Sequence, residues 1–142
     1  MAEREDSVRP SFAELVDRLT IQQIKEVRRP GSGPSSAAEM RALEKALAAE
    51  MKARRLRMDG RLIRLVTALA QVNLHIWEAR DAMRKDRRAF RSGMKLSHQL
   101  NALRNQLKNA LLAEAGSGQS PAVRTNTDRE DLRGWRLSVL DA

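Results

Sequence analysis

The chain has no cysteine and no tyrosine, and only two Phe and two Trp among its 142 residues. Without thiols there can be no disulfide, no thiolate metal site and no cysteine nucleophile, and nothing argues for an extracellular setting. The cytoplasm is the default location. No run of about 18 apolar residues occurs, and the opening Met1-Ala2-Glu3-Arg4-Glu5-Asp6 is acidic where a secretory leader would be basic and then apolar. Neither a membrane span nor a signal peptide is expected. With aromatics this scarce, a core must be built from Leu, Ile, Val, Met and Ala, residues that fill helix interfaces well. This length suits one domain, and that composition points to an all-α protein.

What the chain has in excess is positive charge, 27 Lys and Arg against 18 Asp and Glu for a net charge of +9. Residues 116 to 142 hold four Arg against four acids, so the whole excess lies in residues 1 to 115. Two clusters carry it: Lys52, Arg54, Arg55, Arg57, Arg61 and Arg64, then Arg80, Arg84, Lys85, Arg87, Arg88, Arg91 and Lys95. Each could face a phosphate-rich or acidic partner, although such runs also serve as plain solvated helix faces.

Ser11 with Glu14 forms a capping box ahead of apolar residues at helical spacing, which predicts a first helix over about 11 to 29. Pro30 to Ser35 reads as a loop, and Ser36 with Glu39 as a second capping box. The stripe Met40, Leu43, Leu47 and Met51 carries a second helix to about Met58, where Asp59-Gly60 reads as a stop or tight turn. A third helix from Arg61 is apolar over much of its girth, and residues 85 to 93 read as its fraying end and a connection. The fourth, about 94 to 115, bears the seam Leu96, Leu100, Leu103, Leu107 and Leu111, which resembles a coiled coil and suggests a homo-oligomer. The expected organisation is a flexible N-terminus (1–10), an antiparallel bundle of about four helices (11–115) and a tail (116–142). The tail's Leu132, Trp135, Leu137, Val139 and Leu140 should dock on the body or on a neighbouring chain.

Asn73, Trp77, Asp81 and Arg84 share one side of the third helix at 100° per residue, and Asn101, Arg104, Asn105 and Lys108 share one face of the fourth. Asp17 and Lys25, two turns apart, share a side of the first. Antiparallel packing of the third and fourth helices would bring Asp81 and Arg104 together. Candidate ligand-binding residues are therefore Asp17, Lys25, Asn73, Trp77, Asp81, Arg84, Asn101 and Arg104. A register-fixing polar network is the structural alternative.

These residues also carry a resemblance. Asp17-Arg-Leu-Thr-Ile21 with Lys25, Asn73-x-x-Ile-Trp77-Glu78-x-x-Asp81-x-x-Arg84 and Leu100-Asn101-x-x-Arg104-Asn105 resemble a small bacterial family of unknown function associated with lipopolysaccharide and other polysaccharide gene clusters. The resemblance spans about residues 12 to 114. The chain departs from it at Arg80, where the family pattern is commonly acidic. It implies an all-helical fold and a link to envelope glycans, and assigns no catalytic residue.

His75 and His98 have no Cys and no paired Glu-x-x-His pattern around them, so no metal or other cofactor is expected. The Gly-Ser-Gly at 31 to 33 follows a helix and lacks the Lys-Ser/Thr ending of a phosphate loop. The favoured reading is a non-catalytic interaction or accessory protein, linked to envelope polysaccharide synthesis, that binds an acidic protein or a glycan-phosphate through its basic face. One alternative is nucleic-acid binding, which has the charge but no stacking platform or reading module. Another is an enzyme acting on a sugar-phosphate or similar anion, with Asp17, Asp81 and His75 as acid-base groups and Arg84 and Arg104 as clamps.

Overall fold

The structure, a computed structural model, describes residues 9–29, 34–116 and 135–141. Among them four long helices and no strand are found: α1 (Phe12–Arg28), α2 (Pro34–Ala53), α3 (Gly60–Lys85) and α4 (Phe90–Glu114), with short 3-10 turns at Arg87–Ala89 and Ser138–Leu140. This is the expected all-α bundle. Residues 1–8 of the expected flexible N-terminus and 117–134 of the tail lie outside the described residues.

The first helix starts where its capping box places it, with the Ser11 hydroxyl accepting from the Glu14 amide at 3.1 Å. The second differs from expectation at both ends. It begins at Pro34, so Ser36 lies inside the helix, and it ends at Ala53, five residues before Met58. Arg55 takes a left-handed φ of 51°, and the chain then runs without regular secondary structure to Asp59, whose amide donates back to the Arg57 carbonyl at 3.0 Å. Asp59 is no stop signal: its carboxylate accepts from the Leu62 amide at 2.8 Å and caps the start of α3.

The chain also reverses more tightly after α3 than its charge and Ser-Gly pair suggest. The Asp86 carboxylate accepts from the Arg88 amide, one 3-10 turn follows, and α4 is already under way at Phe90. Ser92 and Gly93 are inside it. Gly93 serves close packing, since a Cβ there would lie 2.4 Å from Cγ of Met83.

Packing sorts the helices unequally. Leu62, Leu65 and Leu69 of α3 meet Leu100, Leu103, Leu107 and Leu111 of α4, with Phe12, Ala13 and Val16 of α1 closing the core. The leucine seam of α4 is thus covered within the chain, which removes the reason for a second copy on that face. Helix α2 lies along α1, and none of its residues from 36 to 53 is fully buried; Leu47 and Met51 only touch the core. Its alanines make it helical by propensity more than by packing.

The end of the tail docks on the body. Val139 is buried, Arg61 of α3 donates to its carbonyl at 3.0 Å and to Glu114 at 2.8 Å, and Arg64 bonds Ser138. The Trp135 indole donates to Gln99 at 3.2 Å while its ring tilts against His75, 5.7 Å between centroids.

Candidate functional site

Antiparallel packing of α1 on α4 puts Asp17 at the centre of a buried polar cluster. Its carboxylate is 1% exposed, and burial alone would push its pKa up. Hydrogen bonds outweigh burial: Arg104 Nε and Nη2 donate to Oδ1 and Oδ2 at 2.9 and 2.5 Å, and Asn73 Nδ2 donates to Oδ1 at 2.9 Å. With the charges of Arg104 and of Lys108, 3.8 Å away, they hold the carboxyl below the usual carboxylate range. The same bidentate contact raises the Arg104 guanidinium. Thr20 accepts from Asn73 and donates to the Asp17 carbonyl, both at 2.8 Å, and Lys108 reaches Glu14 at 2.7 Å. Asp17 and Thr20 of α1 bond to Asn73 of α3, and Asp17 and Glu14 of α1 bond to Arg104 and Lys108 of α4, so the cluster ties the three helices together.

The expected pairing of Asp81 with Arg104 is not what forms. Arg104 is taken by Asp17, and Asp81 pairs on its own helix with Lys85 at 3.0 Å and Arg84 at 3.5 Å. The hydrogen bond from Lys85, followed by the charges of Lys85, Arg84 and Arg28, holds the Asp81 carboxyl below its usual range. A helical wheel shows which residues share a face but not which of two acids a neighbouring helix brings to it.

Above the cluster, α1, α3 and the start of α4 enclose a cleft of about 680 Å³. Ile21, Ile24, Ile76, Trp77, Met83 and Phe90 form apolar walls, and Lys25, Arg29, Arg80, Arg84 and Arg104 supply five cations. No carboxylate lines it among the described residues. The Arg29 guanidinium lies over the Trp77 ring, 5.1 Å from its centroid. An ion pair between Arg28 and Glu78 joins the end of α1 to the C-terminal half of α3.

Of the sequence candidates, Lys25, Asn73, Trp77, Arg84 and Arg104 line this cleft, with Asn73 and Arg104 also part of its buried base. Asp17 lies behind Arg104, Asn101 is exposed and accepts from Arg104 Nη1 at 3.4 Å, and Asp81 is spent on its helix neighbours. Glu14 and Thr20 complete the network although sequence marked them only as a cap and as part of a motif. Arg29, Arg80 and Phe90 complete the cleft. Arg29 could have been found from its place one turn past Lys25, whereas Phe90 needed α4 to start four residues earlier. The acid-base set proposed for an enzyme is not assembled: Asp17 is saturated with donors, His75 lies against Trp135, and Asp81 is ion-paired.

A second concavity of about 670 Å³ between α1, α2 and α3 is lined mainly by Leu19, Val27, Met40, Ala70 and Leu74, with Arg28 and Glu44 at its edges. It lacks the concentration of one charge. Searches against protein-family models, curated proteins and solved structures found no match, so the family resemblance rests on its motifs alone.

The lowered pKa of Asp17 makes stability depend on pH with a definite sign. The folded value lies below the unfolded one, so the carboxylate's contribution is present above about pH 4 and is lost as pH falls through the folded value. Asp17→Asn should therefore be less stable than wild type at pH 7, and the gap between their urea midpoints should narrow steadily below about pH 4. A gap that stays constant down to pH 2 would show that Asp17 is not held ionised by Arg104.

Proposed function

We propose that this protein is a non-catalytic binding module whose basic cleft takes an anionic ligand with an apolar or aromatic body. The observation that carries this reading is the combination of five cations with six apolar walls in one opening, without a lining carboxylate among the described residues. An anion entering there meets guanidinium groups, and its apolar part removes Ile76, Trp77 and Phe90 surface from water. Asp17, buried behind Arg104, holds that guanidinium and Asn73 in place at the base of the cleft and so positions two of its lining residues. Its saturation with donors and its separation from His75 and Asp81 support binding over catalysis. The family resemblance implies a link to envelope glycans, and a glycan-phosphate would bring the charge that the cleft's cations match; on that ground we read the role as accessory to envelope polysaccharide synthesis.

Two dyes separate the charge from the apolar body. Anilinonaphthalene sulfonate carries a sulfonate, and N-phenylnaphthylamine is nearly the same shape without it. A charge-assisted hydrogen bond contributes about 1.5–3 kcal/mol, so the native protein should bind the sulfonate at least roughly tenfold more tightly. Arg80→Glu with Arg84→Glu should abolish that preference while leaving the melting temperature within a few degrees, because both side chains are exposed. Equal affinity for the two dyes, or a preference that survives the double reversal, contradicts the reading.

A further inference from the structure

Helix α4 presents an outward stripe that neither the core nor the Asp17 cluster uses, beginning with Phe90, which also lines the cleft. Phe90 and Met94 are 55% and 39% exposed, one turn apart on the same side of the helix. Arg91 and Lys95 flank them, also exposed, and Arg87 and Arg88 stand just ahead on the 3-10 turn. The sequence contains no acid from residue 87 to residue 113. Among the described residues the other large exposed apolar side chains are Val27, Met58 and Ile63; Phe90 and Met94 are the pair that lies one turn apart within a single helix, among cations for which no ion pair is found in the described residues.

We propose that this face docks on an anionic lipid bilayer, with Phe90 and Met94 entering the interface and Arg87, Arg91 and Lys95 against the headgroups. Charge complementarity selects the partner: a cationic helix face bearing a few large apolar residues lies in the headgroup plane of an anionic membrane and not on a neutral one. Nucleic acid suits the stripe less well, because Met94 has no π face on which a base could stack. The proposal goes beyond ligand capture in the cleft. It can fail while the dye preference holds, and the reverse is equally open.

The test is co-sedimentation of the whole protein with vesicles of phosphatidylcholine alone or containing phosphatidylglycerol. Binding is expected only to the anionic vesicles, and should fall on the order of tenfold for Phe90→Ser with Met94→Ser and at least as much for Arg87→Glu with Arg91→Glu. Phe90→Trp should keep wild-type partition, and its added emission should shift to the blue on anionic vesicles. No partition onto anionic vesicles overturns the proposal, and so does a Phe90→Ser/Met94→Ser variant that partitions like wild type. It is equally overturned if a single-stranded oligonucleotide binds, depends on Phe90, and the vesicles do not.

Discussion

Arg104→Met should lower the stability of the protein by about 3 kcal/mol, because it leaves the Asp17 carboxylate buried without its bidentate partner. The figure belongs at the lower end of the range for broken buried pairs. Lys108, already 3.8 Å from Asp17, can move toward the stranded charge, and the Arg104 side chain is itself 23% exposed. Asp17→Asn should cost a similar amount, since it leaves Arg104 half-buried beside a neutral amide. The double variant Asp17→Asn/Arg104→Met should cost appreciably less than the two singles together, with a coupling of about 1–3 kcal/mol. Asp81→Asn with Arg104→Met is the control, and its effects should add to within about 0.5 kcal/mol because those side chains do not meet. Urea unfolding of the six proteins, wild type included, checks this. Additivity in the Asp17 cycle, or coupling in the Asp81 cycle, would place the partner of Arg104 elsewhere.

A second large effect should separate the helices. Leu65 is fully buried between α3 and α4, and Leu65→Ala should cost about 3–4 kcal/mol from lost burial and the cavity left behind. For a domain of this size that is a fall of roughly 10 °C in melting temperature. Leu43→Ala in α2 should cost under about 1 kcal/mol, since Leu43 sits on the rim of a shallow groove beside α1. Comparable losses at the two positions would mean that α2 belongs to the core.

That contrast marks where sequence reading succeeds and where it stops. The Ser11 capping box and the leucines of α4 place their helices well, because capping and periodicity are local properties of the chain. The stripe Met40, Leu43, Leu47 and Met51 is as regular as the one in α4, yet it packs at the periphery. Periodicity shows that a face is apolar without showing what covers it. Asp59-Gly60 and Ser92-Gly93 look alike as punctuation, but the first caps a helix and the second lies inside one where α4 presses on Met83. The difference lies in tertiary approach, which neither pair encodes by itself. Site residues were legible as faces: Asn73, Trp77, Arg84, Arg104 and Lys25 do converge on one cleft. Their partners were not, since choosing between Asp17 and Asp81 for Arg104 depends on how three helices cross.

The cleft is the centre of this account, and the two indole N–H groups test it most directly. Trp77 lines the cleft, whereas Trp135 is docked on Gln99 and His75 at the far side of α3. In a proton–nitrogen correlation spectrum, with the signals assigned through Trp135→Phe, anilinonaphthalene sulfonate should shift the Trp77 indole peak in a saturable way and leave that of Trp135 in place. A Trp135 signal that moves while Trp77 stays still, or saturable dye binding that moves neither, would contradict the assignment of the binding site.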